Sequence, residues 1–271
     1  MYIQDTLLHI NYRVRYAKPE QEQFFPAHFH DGYEILYIAS GGGECFIEGE
    51  RFVFGTGDLI ITNPNEVHSI RVQENSERWY ICFRSSFLSE FVDENYHPVQ
   101  VLQQRPVGTQ NRIQADAVQE LGLDVSMRNI LTLFDSETVG KESLIKANLL
   151  VLLHGIEEVI KKNDHKVQTH ELADVVSYIN THFTENITVE EIAKCFFLSK
   201  SQLSHTFSKY MGISLKSYIT KKRVIYAKEL MSTSKKLTQI AFESGFGDYS
   251  AFYRAFKRAT GLTPLEYKAG M

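Results

Sequence analysis

Two kinds of apolar periodicity divide this chain. In the first third, short runs alternate or are continuously apolar: Glu34-Ile-Leu-Tyr-Ile-Ala, Cys45-Phe-Ile, Arg51-Phe-Val-Phe and Asp58-Leu-Ile-Ile-Thr. Glycines and Asn-Pro pairs punctuate them, at Gly41-Gly-Gly43, Gly49, Gly55, Gly57 and Asn63-Pro-Asn65. Short strands at regular spacing predict a small barrel or sandwich. From about residue 112 to 160 the pattern is helical. Leu144, Ala147, Leu150, Val151 and His154 share one stripe there, and Leu149, Leu152, Leu153 and Ile156 another. A helix apolar on two sides has to bury both. One side is expected to cover the strands, and the other to meet a second subunit or fold into the same chain.

The last hundred residues contain a repeat. Ile192-Ala193 recurs as Ile240-Ala241, an offset of 48, and Phe207, Gly212 and Tyr218 recur as Phe256, Gly261 and Tyr267, an offset of 49. Each unit reads as a helix, a short turn, a second helix ending near glycine, and a further helix. Thr188-Val-Glu-Glu191 is a capping box, with Ile187 and Ile192 placed as a hydrophobic staple, and Ser199 caps the next helix. The buried side of that helix is Leu203, Phe207 and Tyr210. Leu215, Tyr218, Ile219, Tyr226, Ala227 and Leu230 form the stripe of a long connecting helix. In the second unit Ile240, Ala241, Phe246, Phe252 and Phe256 are the buried positions.

Composition narrows the class. The 271 residues are 43% hydrophobic and 23% charged, with 18 Phe and 14 Tyr, which excludes disorder as the main state. The longest apolar stretch, Leu149 to Leu153, is far short of the roughly 20 residues that span a bilayer. No signal peptide is visible at the N-terminus, so a cytoplasmic location is expected, without membrane contact. Cys45, Cys82 and Cys195 read as reduced core residues. Charge is uneven: residues 1–167 carry 15 Lys and Arg against 24 Asp and Glu, a net of −9, whereas residues 168–271 carry 14 against 9, a net of +5. A basic rear half is suited to a polyanion, although solvated surface explains the same balance.

The run Ile240-Ala-Phe-Glu-Ser-Gly-Phe-Gly-Asp-Tyr-Ser-Ala-Phe-Tyr-Arg-Ala-Phe-Lys-Arg-Ala-Thr-Gly-Leu-Thr-Pro-Leu-Glu-Tyr267 resembles the signature of the AraC/XylS transcriptional regulators. Leu198-Ser-Lys-Ser-Gln-Leu-Ser-His-Thr-Phe, Gly212 and Arg223-x3-Ala227-x2-Leu230 fit the same domain. The resemblance implies two helix-turn-helix units joined by the long helix, each placing its second helix in a major groove of double-stranded DNA. It carries base-reading or backbone contacts over to Lys200, Ser201, Ser204 and His205 in the first unit. In the second they fall on Tyr249, Ser250, Tyr253 and Arg254. Arg254 suits a bidentate contact to guanine, whereas Lys200, Lys209, Lys257 and Arg258 suit phosphates. Phe197 stands in the first turn where this family often has glycine, and Gly245 keeps it in the second, so a shifted first turn is expected.

His28-Phe-His30-x3-Glu34, followed by Gly57-Asp-Leu-Ile-Ile-Thr-Asn-Pro-Asn-Glu-Val-His68, resembles the two motifs of the cupin barrel, which AraC-type regulators commonly carry as a sensor. Two histidines at i, i+2 on one strand would face one interior, with Glu34 and His68 closing the shell. These four residues are assigned to the effector pocket; no cofactor is expected, with a metal held there as the less favoured reading. Trp79 and Tyr80 are candidates to stack on a sugar face, and core packing explains them too. The resulting expectation is an α+β chain. Residues 1–110 form a cupin-like barrel sensing a carbohydrate or related metabolite, and 111–162 a helical segment that forms a homodimer. Residues 163–170 are a linker, and 171–271 form the all-α DNA-binding domain. The partners implied are DNA, the effector, a second copy and, for an activator, RNA polymerase. A metal-dependent cupin enzyme fused to a helical domain is the alternative, and the rear repeat argues against it.

Overall fold

A computed structural model describes residues 11–30, 32–106, 108–162 and 172–270. The expected linker at 163–170 and the N-terminal residues that bear on a signal peptide lie outside the described residues. The chain divides into two compact units, one within residues 11–162 and one within 172–270.

The first unit contains nine strands: β1 (Tyr12–Ala17), β2 (Gln23–His28), β3 (Tyr33–Ser40), β4 (Gly42–Ile47), β5 (Glu50–Gly55), β6 (Leu59–Thr62), β7 (His68–Val72), β8 (Glu77–Phe83) and β9 (Arg112–Ile113). They form two antiparallel sheets, ordered β1-β8-β3-β6-β9 and β2-β7-β4-β5. The β4–β5 connection is a two-residue hairpin in which Glu48 and Gly49 both have positive φ, 49° and 93°. Its carboxylate is not idle, because Glu48 Oε1 accepts from the Val67 amide at 2.6 Å.

Strand β3 shows why this region reads as nearly continuous apolar sequence. Tyr33, Ile35 and Tyr37 pack on one side into a core shared with helices, and Leu36 and Ile38 pack on the other against Cys45, Ile47, Phe54 and Val72 of the second sheet. The first sheet is thus a middle layer, buried on both faces. Its outer cover is α1 (Gln100–Gln104), α2 (Ala115–Glu120), α3 (Leu123–Phe134) and α4 (Lys141–Lys162). The segment expected to be helical from residue 111 begins instead with β9, whose Arg112 and Ile113 pair with Ile60 and Leu59. On α4, Ile145, Leu149, Leu152 and Ile156 are buried, while Leu144, Ala147, Val151 and His154 lie exposed.

A buried charged network pins the end of the sheet. Glu66 accepts from Arg105 at 2.9 Å, from the Gly108 amide and from Asn111. Asp58 similarly accepts from Arg112 at 3.0 Å and from the amides of Gly55 and Ala115. Each carboxylate is surrounded by donors, which offsets the cost of burying it.

The second unit is all helical: α5 (Ala173–His182), α6 (Val189–Cys195), α7 (Lys200–Met211), α8 (Leu215–Met231), α9 (Leu237–Glu243), α10 (Tyr249–Thr260) and α11 (Pro264–Ala269). The repeat seen in sequence extends to the bonds. The turn after α6 is closed by Phe197 N–H to Lys194 O and Leu198 N–H to Ala193 O, and the turn after α9 by Gly245 to Phe242 and Phe246 to Ala241. The caps match as well, with Ser199 accepting from Gln202 N and Asp248 from Ala251 N. Gly247 is the added residue that lengthens the offset. Phe207 meets Tyr218 edge-on at 5.3 Å, and Phe256 meets Tyr267 edge-on at 5.4 Å. The expected shift in the first turn is corrected: Phe197 takes φ +55° and makes the same bonds as Gly245. Cys195 is also corrected, since it lies exposed at the end of α6, unlike buried Cys45 and Cys82.

Candidate functional site

Two candidate sites lie in the two units. In the helical unit, Phe252 and Phe256 anchor α10, and Leu203 and Phe207 anchor α7. Those anchors leave positions i, i+1, i+4 and i+5 from each helix start on the opposite side. There stand Lys200, Ser201, Ser204 and His205 on α7, and Tyr249, Ser250, Tyr253 and Arg254 on α10, with only Ser204 and Tyr249 half-buried. Tyr249 packs against Phe252 at 5.7 Å and lies 6.5 Å from Tyr253, so its ring is fixed by the core. Lys200 differs from expectation, because its ammonium pairs with Glu190 of α6. Arg223, seen in sequence as a motif position, ties α8 to the segment before α6 by donating to Phe183 O and Glu185 O, both at 2.7 Å.

The second site lies between the two sheets of the first unit. His28 ends β2 and sits opposite His68 of β7, with ring centroids 4.2 Å apart. His30 falls beyond the strand end, so the expected pair on one strand is corrected. It reaches the same interior from the following turn, 5.1 Å from His68. Each of the three imidazoles donates from Nδ1 to a nearby carbonyl: His28 to Pro26, His30 to Gly32 and His68 to Glu66, at 2.8–2.9 Å. Those bonds fix the tautomer and leave Nε2 with its lone pair. His30, Glu34 and His68 bring their donor atoms within 4.8 Å of one another, and His28 is not in that group. Burial and neighbouring His30 push His68 down to about 3, so it is neutral at physiological pH. Burial raises the Glu34 carboxyl to about 7 against the opposing pull of Arg78.

Trp79 and Tyr80 part company. Successive residues of a strand face opposite ways. Tyr80 lines the space between the sheets with Leu36, Ile60 and Ile70. Trp79 instead packs on Tyr37 at 5.2 Å and under Arg128 of α3, in the helix-covered layer. It is removed from the effector pocket. Sequence reasoning missed four polar residues on the inner face. Register sets Arg13 beside Cys82, which in turn faces Glu34, Arg15 beside Tyr80, Thr62 beside Glu34, and Arg78 one step further along β8. The alternation Arg13-Val14-Arg15, with Val14 buried on the helix side, was the available signal.

Residues 11–122 match the family described as an AraC-like ligand binding domain, and residues 192–270 match a helix-turn-helix domain. The chain combines an AraC-type helix-turn-helix domain with an AraC-like ligand-binding domain. It is 25% identical over 253 residues to the HTH-type transcriptional activator RhaS of Enterobacter sp. (strain 638), covering 91% of this chain and 88% of that one. An uncharacterized HTH-type transcriptional regulator of Staphylococcus aureus is 23% identical over 239 residues, 88% of this chain. The match takes in 31% of that relative, so the chain spans about a third of its length. Among solved structures, unsaturated fatty acid bound ToxT from Vibrio cholerae is 16% identical with a TM-score of 0.39, covering 97% of this chain and 96% of that one. No described helix is long and apolar enough to cross a membrane.

Proposed function

We propose that the chain is a sequence-specific DNA-binding regulator with two helix-turn-helix units, whose paired sheets form a cupin-like pocket for a small polar effector. The observation that carries the DNA-binding half is the duplication of an entire packing unit, down to the caps and the Phe207–Tyr218 and Phe256–Tyr267 contacts. Two equivalent helices held by one rigid α8 can enter successive major grooves, roughly 34 Å apart. On α10, Arg254 reads a guanine through its fork, with Tyr249, Ser250 and Tyr253 beside it. On α7, Ser201, Ser204 and His205 are weaker, more tolerant donors. The effector, a carbohydrate or related metabolite, binds between the sheets at His28, His30, Glu34, His68 and Tyr80. A homodimer forms through the exposed stripe of α4.

The test is selection from a random duplex library with the full chain. A bipartite motif with half-motifs about one helical turn apart is expected. Arg254→Ala should lose about 1–3 kcal/mol of discrimination at one base pair, leaving the rest of the motif intact. No enriched motif would end the reading, and an unchanged motif for Arg254→Ala would move the contact elsewhere.

One observation favours a divalent cation in the same pocket as a second reading. The Nδ1 bonds of His30 and His68 present both Nε2 atoms beside Glu34, which is how imidazole ligands are usually oriented. The donor set, two imidazoles and a carboxylate, fits a first-row transition metal, which would supply a Lewis-acidic anchor for effector oxygens. Metal analysis of the purified chain, before and after chelator, separates the two readings.

A further inference from the structure

We infer that the effector carries a negative charge, and that a small hydroxylated carboxylate is the compound class the pocket between the sheets accepts, held by Arg78 and Arg15 beside the Tyr80 hydroxyl. The inference rests on the effector reading above and names its chemistry.

Arg78 is the reason. It lies on β8 with 6% of its surface exposed. One arm, Nη2, donates to Gln23 Oε1 at 3.0 Å, and the guanidinium stacks over the Phe25 ring at 5.4 Å. The other arm, Nη1, is buried and has no hydrogen-bond partner. No carboxylate lies within ion-pair distance of Arg78 among the described residues. The same unit treats other arginines differently: the fully buried Arg105 is bonded to Glu66 at 2.9 Å, and the half-buried Arg112 to Asp58 at 3.0 Å. A guanidinium does not lose its proton, so a buried one without an anion is costly. Where the fold needs an arginine as framework it supplies the carboxylate. At Arg78 one arm is left without a partner instead.

The neighbours support an anion of limited size. Arg15 projects to the same face and hydrogen-bonds the Tyr80 hydroxyl, and Arg13 stands on that face one row away, beside Cys82. Among the described residues the acid on this face is Glu34, whose carboxylate lies 3.8 Å from His30 Nε2. Arg13, Arg15 and Arg78 thus stand on one face. Planar bidentate bonding to a guanidinium is the preferred geometry of a carboxylate. Two further buried atoms, Thr62 Oγ1 and His68 Nε2, also lack partners and lie on the same inner faces, suited to hydroxyl groups next to the acid.

The test is thermal denaturation of the full chain with matched pairs of probes at constant ionic strength: galacturonate against galactose, and gluconate against sorbitol. An acid is expected to raise the Tm by several degrees where its neutral partner does not. Arg78→Met should lower the affinity for that acid at least tenfold, while its ligand-free Tm equals or exceeds that of the wild type. Arg78→Lys, which keeps the charge without the fork, is the second variant should Arg78→Met fail to fold, and it should bind the acid several-fold more weakly than the wild type. A neutral sugar that stabilises as well as its acid overturns the inference, as does an acid shift that survives both substitutions. Silence from every acid overturns it too. A stabilising neutral sugar leaves the effector reading standing, and a motif from duplex selection leaves the DNA reading standing, so the failures are distinguishable.

Discussion

Phe197 and Gly245 hold the same left-handed position in two equivalent turns, at φ +55° and +89°. For a bulky residue that conformation costs about 1–2 kcal/mol, and for glycine almost nothing. The difference in tolerance is spatial. A Cβ on Gly245 would stand 2.8 Å from the Thr184 backbone and 2.9 Å from Arg223 Nε, whereas Phe197 is 97% exposed. Phe197→Gly is therefore expected to stabilise the helical unit by about 1 kcal/mol, and Gly245→Ala to destabilise it by about 2 kcal/mol or more. Denaturant unfolding of the two variants checks both signs; a loss of stability in Phe197→Gly would show that the exposed ring holds something in place. The sequence located this position but not its consequence, because φ and free space are properties of the folded turn. The histidines were similar. The resemblance to the cupin motifs assigned His28, His30, Glu34 and His68 to one pocket, while the strand ending at His28 was invisible.

At the scale of elements, legibility followed locality. The caps of α6 and α7 were readable because a capping box is complete within four residues: Thr188 accepts from Glu191 N while Glu191 bonds back, and Ser199 does the same with Gln202. Thr188→Ala should cost about 1 kcal/mol. The Thr188 amide and hydroxyl hold the Glu191 carboxyl below its ordinary value. A carboxyl depressed in the folded state contributes fully above the ordinary carboxylate range, and that contribution is lost as pH falls through the depressed value. The gap between wild type and Thr188→Ala should thus narrow on acidification. Urea unfolding at neutral and acidic pH measures it, and a constant gap would mean that the carboxylate takes no part. The sheets were less legible. Strand β3 is buried on both faces, so its alternation is masked, and β9 is only two residues long. Pairing such as Arg15 with Tyr80 is set by register across distant sequence, and so the cationic face of the pocket went unseen. Helix α5 was missed despite Leu172, Val175, Val176 and Ile179 at helical spacing, because it lies outside the repeat.

For the whole molecule, the proposed homodimer turns on α4. Both stripes read from sequence exist, but they have different fates: Leu149, Leu152, Leu153 and Ile156, joined by Ile145, are buried in the core, while Leu144 and Val151 are 43% and 61% exposed. Leu150, grouped in sequence with Leu144 and Val151, packs instead at the margin of the core. Leu144, Ala147, Val151 and His154 recur at three- and four-residue intervals, the spacing of a helix seam. Paired with the same stripe of a second copy in a two-fold arrangement, they would remove that apolar surface from water. Val151→Glu places two like charges in such a seam while leaving the buried stripe untouched. The expected outcome is a dimeric wild type and a monomeric variant by light scattering, with the same far-UV spectrum and the same thermal transition of the sheets. DNA affinity for a two-site operator should fall about a hundredfold or more, because the second site loses its effective concentration, while affinity for a single site stays unchanged. A wild type that is monomeric at every concentration, or a variant that binds both operators equally weakly, would place the coupling between subunits somewhere other than α4.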